Sequence, residues 1–255
     1  MLLAIDIGNS HIALGGYTEE RLAFRSSLLA DPRRTADQYA VEVRGILELY
    51  GTAPADVTGV VICSVVPVLT QVFRSVARRF CATPPLVLAP GIRTGLKIGI
   101  DDPAQLGSDL AAGAVAAAAK YPLPCIICDL STAASFSVVD ASGTFFGGAI
   151  AAGPGLSLEA LDRATALLPQ VTLECPASAI GRNTAACMQA GIVLGTAAMV
   201  EGLCRRMEEE LGQSCTLVLT GSWARTVAPG FQRNLVLDEH LLLDGLRIIY
   251  YKNRK

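Results

Sequence analysis

Apolar and polar residues alternate from the first positions of the chain. "LLAIDIGNSHIALGGYTEERLAFRSSL" predicts a strand, a tight turn at Gly8-Asn9, a second strand, a hairpin near Thr18–Glu20 and a third strand. The spacing then changes. In "TADQYAVEVRGILELYG", Tyr39, Val43, Ile46 and Leu47 fall on one helical face, and Gly51 ends the helix. "VTGVVICSVVP" predicts a strand stopped by Pro67, "PVLTQVFRSVARRFC" a helix, "PPLVLAP" a strand, and "DPAQLGSDLAAGAVAAAAKY" a closely packed helix of small residues.

At Cys125 the opening pattern restarts. "CIICDLSTAASFSVVDASGTFFGGAIAAG" again gives strand, turn, strand, hairpin, strand. "SLEALDRATALLP" predicts a helix, and "NTAACMQAGIVLGTAAMVEGLCRRMEEELG" a long helix or two joined at a glycine. "CTLVLTGSWA" is a strand running into a turn, and "DEHLLLDGLRIIYYKN" is the final helix. The chain therefore repeats itself loosely. Mixed strands and helices predict α/β sheets with helices on their faces. Two similar halves predict two domains, 1–118 and 119–255, with a cleft between them.

Composition narrows the class. The chain has 255 residues, room for two medium domains with buried cores. With 51% hydrophobic residues, 17% charged residues and a net charge of -2, it has no basic surplus for nucleic acid and no charged tail. An aspartate at position six and no basic leader point to a strand rather than a signal peptide. "LAAGAVAAAAK" is too short to span a bilayer, so no membrane partner and a cytoplasmic location are expected. Eight cysteines are scattered through apolar runs. Cys125 and Cys128 form a C-x-x-C, but residues three apart in a strand face opposite sides of a sheet. Buried reduced thiols are expected rather than a zinc site.

Candidate chemistry gathers at strand ends. "AIDIGNS" puts Asp6 at one, followed by the small turn Gly8, Asn9, Ser10. Free amides in such a turn bind phosphate, and the aspartate can hold hydrated Mg²⁺. The same stretch also reads as a hairpin with an aspartate stabilising its turn. "CDLSTAAS" repeats the layout with Asp129, Ser131, Thr132 and Ser135, and "LVLTGSWA" adds Thr220, Gly221 and Ser222. Together the three turns outline an ATP site. In "LGSDLAA", Asp109 opens a helix, either as a general base or, with Ser108, as an N-cap. "GPGLSLEALD" reads as a loop capped at Ser157.

With these residues in view, the chain resembles the type III pantothenate kinases of the acetate kinase, sugar kinase, Hsp70 and actin superfamily. The likeness runs nearly end to end, through "AIDIGNS", "RTADQY", "CSVVP", "GIRTGL", "DPAQLGSD", "FFGGAI", "GRNTAACMQAGI" and "LDGLRIIY". It implies two ribonuclease H-like (actin-like ATPase) domains and ATP-dependent phosphorylation of pantothenate in coenzyme A synthesis. It also implies Mg²⁺, a monovalent cation (K⁺ or ammonium) and a homodimer. Carried over residue by residue, it makes Asp109 the base. Asp6, Gly8, Asn9 and Ser10 hold phosphate and Mg²⁺. Ser131, Thr132, Ser135, Thr220 and Gly221 lie in the ATP motifs, and Asp129 is where K⁺ binds. Gly91, Gly95 and Gly107 line the pantothenate pocket, and Thr184 reaches a neighbour's pocket.

The departures fall within these motifs. The family's D-F-G-T-A-T-T is "DLSTAAS" here, so Ser131 replaces a glycine and Ala134 a threonine. Leu110 stands where an arginine follows the catalytic aspartate, and T-G-G has become Thr220-Gly221-Ser222. Losing one transition-state donor costs about 10²–10³ in rate. Two functions are consistent with this pattern. One is an active kinase with variant loops. The other is a weak or silent member acting as the partner subunit of an active paralogue.

Overall fold

The computed structural model describes residues 1–254. In chain order, the first elements are β1 (Leu2–Ile7), β2 (His11–Thr18), β3 (Arg21–Leu29), α1 (Ala36–Leu49), β4 (Gly59–Ser64), α2 (Pro67–Phe80) and β5 (Leu86–Val87). Then come β6 (Lys97–Ile98), α3 (Ser108–Lys120), β7 (Cys125–Leu130), β8 (Ala133–Val139), β9 (Thr144–Ala152) and α4 (Pro154–Ala164). The last are α5 (Thr184–Gln189), a π-helical turn at Ala190–Leu194, α6 (Gly195–Leu211), β10 (Thr216–Thr220), α7 (Ala224–Val227), β11 (Val236–Leu237) and α8 (Leu241–Asn253). The predicted elements are nearly all present. The two-residue strands β6 and β11 were too short to show a period, and the long helix is bridged by a π turn rather than broken at a glycine.

Two compact units form. The first holds residues 1–96, 102–116 and 241 onward, and the second holds 97–101 and 117–240. Its sheet in the first unit runs β3-β2-β1-β4-β5, and in the second unit β11-β10-β7-β8-β9-β6. The loose sequence repeat is a topological repeat. β1 pairs antiparallel with β2 and parallel with β4, while β7 pairs antiparallel with β8 and parallel with β10. Both lead strands are central and buried on both faces, so they read as apolar runs interrupted by one aspartate.

Alternation along β1 sorts its side chains between two cores. Leu3, Ile5 and Ile7 pack with Tyr39, Val43, Leu47, Leu69 and Phe73 of α1 and α2. Leu2 and Ala4 face the other way, against Ala112 and Val115 of α3 and Leu243, Leu246 and Ile249 of α8. The last helix therefore completes the first unit, whereas the sequence boundary placed it with 119–255. The division itself falls inside α3, between Ala116 and Ala117, rather than at 118/119. α8 needs the second apolar face of the β1 sheet, and no local pattern announces that.

α8 also pins a motif distant in sequence. Arg93 N–H donates to Asn253 Oδ1 at 3.2 Å, Asn253 Nδ2 donates to Arg93 O at 2.8 Å, and Lys252 Nζ donates to Thr94 O at 3.1 Å. "GIRTGL" is thus held by the end of "LDGLRIIYYKN". "RTADQY" is a helix start. Thr35 and Gln38 form a capping box, Tyr39 is fully buried, and Arg34 pairs with Glu42.

In the second unit, Ile126, Cys128 and Leu130 of β7 pack with Val193, Ala197, Val200 and Cys204 of the long helix. That helix, Thr184–Leu211, is apolar and long enough to cross a membrane by length and composition alone. Its buried stripe belongs to this core. Cys128 packs in this cluster, while Cys125, also fully buried, is turned to the opposite face, as strand alternation requires. All eight cysteines are free thiols; six are buried as expected, but Cys175 is half-buried and Cys187 exposed, and burial pushes Cys125 and Cys204 up to about 12.

A polar anchor holds the far side of this unit. Lys120 Nζ and Tyr121 Oη both donate to Asp238 Oδ2 at 2.6 Å, and His240 N–H donates to Oδ1 at 3.1 Å. Burial raises the Asp238 carboxyl, but the Lys120 and Tyr121 hydrogen bonds and the Lys120 charge outweigh it and hold the group below its usual 3.8. A depressed folded value means that the stabilisation is complete above the unfolded value and fades as pH falls through the folded one. Asp238→Asn is expected to cost about 2–3 kcal/mol at pH 7. Urea melts should show the gap from wild type closing as pH drops below about 3.8. A pH-independent gap would assign the loss to packing.

Candidate functional site

In the first unit the site is built at the ends of β1 and β4. Asp6 continues the Leu2–Ala4 face and lies beside Cys63 in the parallel register. Cys63 is fully buried. Its thiol donates to Ser108 Oγ at 3.2 Å, and Ser108 Oγ donates to Ser64 O at 3.4 Å. Burial, then the charge of Asp6, pushes the Cys63 thiol far above its usual range, and Asp109 adds to the shift. Cys63 therefore stays a neutral thiol, and Ser108 docks the start of α3 onto β4. Asp6 and Asp109, more than a hundred residues apart, meet through this link. The sequence reading used "CSVVP" only as a family segment. A cysteine one residue before a strand-end serine gives no local sign that it sits under two acids.

The turn after β1 is compact. Gly8 N–H donates to His11 O at 3.0 Å, and Ala30 N–H donates to Ser10 O at 3.0 Å, which leaves Asn9 and Ser10 exposed. The stretch is a closed hairpin turn in which the Gly8 amide is already bonded. Gly91 and Gly95 have φ of +95° and +78°, a region that favours glycine. A side chain at Gly95 would also strike Lys252.

Gly107 has a more specific role. A Cβ there would come 2.5 Å from Asp109 Oδ1, because the Asp109 carboxylate folds back over the glycine. The obstacle is a movable side-chain end rather than backbone. Gly107→Ala is therefore expected to swing the carboxylate aside with little loss of stability. Turnover should fall on the order of 10²-fold, since about 1 Å of misplacement is enough for that. A melting point within a degree or two of wild type, with turnover intact, would show that the Asp109 position is not critical.

In the second unit three turns converge. Asp129 lies one residue before the end of β7, opposite Ser135 on β8 and Thr220 on β10. Ser131 Oγ donates to Asp129 Oδ1 at 2.5 Å. Gly221, with φ of +97°, lies so close that a Cβ would overlap the same oxygen and the Leu130 carbonyl. Trp223 N–H donates to Leu130 O at 2.9 Å. The third turn is Gly153, where a Cβ would overlap the Ser131 and Thr132 carbonyl oxygens. Gly155 abuts the Trp223 indole. Thr132 is exposed and Ala134 is fully buried. The sequence reading took "GPGLSLEALD" as a loop capped at Ser157. Instead α4 starts at Pro154, and Ser157 Oγ donates back to Gly153 O at 3.0 Å. The doubled glycine around a proline was the available signal. Thr184 stands exposed at the first position of α5, capped by Asn183.

Among the described residues, no cluster of three or more His, Cys, Asp or Glu could hold a metal by itself. A lone carboxylate such as Asp6 suits Mg²⁺, which is usually held by one or two carboxylates, waters and substrate phosphates. Asp129 fits a monovalent cation poorly, because the Ser131 hydroxyl already donates to its Oδ1.

Two sheets related by a topological repeat, each with an aspartate near the end of its lead strand, give the two-unit α/β fold of the actin-like type. The activator of the 2-hydroxyisocaproyl-CoA dehydratase from Clostridium difficile, solved with bound ADPNP, has this fold. Its TM-score is 0.53 at 12% identity over 100% of this chain and 98% of that one. A Baf family protein from Campylobacter jejuni matches with a TM-score of 0.63 at 17% identity over 98% of both chains. The model of the type III pantothenate kinase family matches residues 2–206. The type III pantothenate kinase of Roseiflexus sp. (strain RS-1) is 42% identical over 254 residues, covering 100% of both chains. The chain belongs to the type III pantothenate kinase family.

Proposed function

We propose that this chain transfers the γ-phosphoryl group of ATP to the hydroxyl of pantothenate, giving 4'-phosphopantothenate. The observation that carries the reading is the retention of Asp109, aimed by Gly107 and Ser108 beside Asp6. Asp109 takes the proton from the attacking hydroxyl oxygen. Asp6 would hold Mg²⁺, which supplies charge neutralisation on the phosphates. Asn9 and Ser10 in the first turn and the Thr132, Ser135, Thr220 and Gly221 group face the nucleotide in this reading, with Gly8 and Ser131, whose donors are bonded within the protein, shaping the two turns. Gly91, Gly95 and Gly107 give the acceptor room. Phosphoryl transfer of this kind is mostly positioning and charge stabilisation, so a chain that keeps both acids keeps the main machinery.

A homodimer is part of the same proposal, with Thr184 contributing to the neighbour's pocket. Phe146 and Ile150, exposed on one face of β9, support it as apolar surface for a second copy. The alternative of a silent partner subunit is favoured by Leu110 and Ser131, which replace an arginine and a glycine of the family pattern. The deciding experiment is coupled ADP release by the purified chain with ATP, Mg²⁺, K⁺ and pantothenate. Release that requires pantothenate is expected. A folded chain with none would leave the partner role standing.

A further inference from the structure

We propose that Ser131 takes the place of the monovalent cation expected at Asp129, so that nucleotide binding by this chain does not depend on K⁺. The inference rests on the kinase reading above. It concerns a motif position where the chain has gained a polar group beside an aspartate.

The Ser131 hydroxyl donates to Asp129 Oδ1 at 2.5 Å. A hydroxyl donating to a carboxylate makes a short, charge-assisted hydrogen bond of the strong kind. It supplies a positive hydrogen to an oxygen whose charge a cation would otherwise offset. Gly221 packs beside the same oxygen, since a Cβ at that position would overlap Oδ1. Ser131 is itself fixed. Its N–H donates to Ala133 O at 2.9 Å, and its carbonyl lies against Gly153. The 221–223 turn is likewise tied to β7 through Trp223 N–H and Leu130 O. The three turns around Asp129 are therefore closed by bonds within the protein. Glycine at 131 would remove the hydroxyl, open Oδ1 on that side and leave a carboxylate that a weakly hydrated cation could satisfy. The serine that reads in the sequence as damage to a phosphate turn is a built-in replacement for the ion.

The test compares wild type with Ser131→Gly. Affinity for a non-hydrolysable ATP analogue with Mg²⁺ is measured in KCl and in choline chloride at equal ionic strength. Wild-type affinity should agree between the two salts within about twofold. Ser131→Gly should bind about tenfold more weakly in choline and recover in KCl, the size expected for one hydrogen bond to a charged group. A tenfold or larger K⁺ effect on wild type would overturn the proposal. So would a variant as indifferent to K⁺ as wild type. If neither protein binds the analogue in either salt, the kinase reading fails. The cation question is then decided on nucleotide-free protein by ²⁰⁵Tl⁺ line broadening. Broadening by Ser131→Gly alone supports the replacement, whereas broadening by wild type, or by neither, rejects it.

Discussion

Asp109→Asn should lower turnover by about 10²–10⁴-fold, the range for losing a positioned general base. The asparagine keeps the size and hydrogen-bonding reach of the side chain but cannot accept the hydroxyl proton. The loss should fall on kcat, with the apparent affinity for ATP little changed, because the interaction is made only in the transition state. Stability should barely move. Asp109 sits in the first turn of α3, where a negative charge contributes about 0.3–1 kcal/mol through the helix dipole. Thermal melting and light scattering on the same preparation separate the outcomes. Full turnover in the variant would remove Asp109 from the base role. A matching collapse of the fold would reduce Asp109 to a structural cap.

Gly245→Ala should be among the most damaging single changes to the fold, at about 2–3 kcal/mol or more for a clash that cannot relax cheaply. α8 crosses α3 with Gly245 directly over the backbone of Ala112, and a methyl group would overlap the Ala112 carbonyl oxygen. Backbone cannot rotate aside as a side chain can. The contact seats Leu243, Leu246 and Ile249 against Leu2 and Ala4, so moving the helix would open the core beneath Asp6 and Asp109. Gly202→Ala in α6 is the matched control. Nothing lies within 4 Å of its Cβ position, so the change should stabilise by about 0.5–1 kcal/mol through helix propensity. Denaturant titrations of the two variants should move in opposite directions. Equal shifts would mean that the α3–α8 approach is looser than the structure shows.

Much of this protein was determined by its sequence alone. The apolar runs "LLAIDI" and "CIICDL", each broken by one aspartate, mark two strands that open the two halves. The helical face of Tyr39, Val43, Ile46 and Leu47, the stop at Gly51 and the repeat of strand, turn, strand, hairpin and strand were legible because each is a local period. The acids Asp6, Asp109 and Asp129 were legible because a lone carboxylate in or beside an apolar run is conspicuous.

Only the tertiary structure decided which faces those periods would bury. Strand alternation offers two apolar faces for β1, and the choice of α8 for one of them depends on a helix more than two hundred residues away. The Cys63–Ser108 link, the carboxylate resting on Gly107 and the Ser131 hydroxyl on Asp129 are contacts of single atoms. Composition and periodicity fix which side of an element a residue occupies. They do not fix which atom it meets across the next element, and for Ser131 that one contact changes a lost glycine into a gained bond.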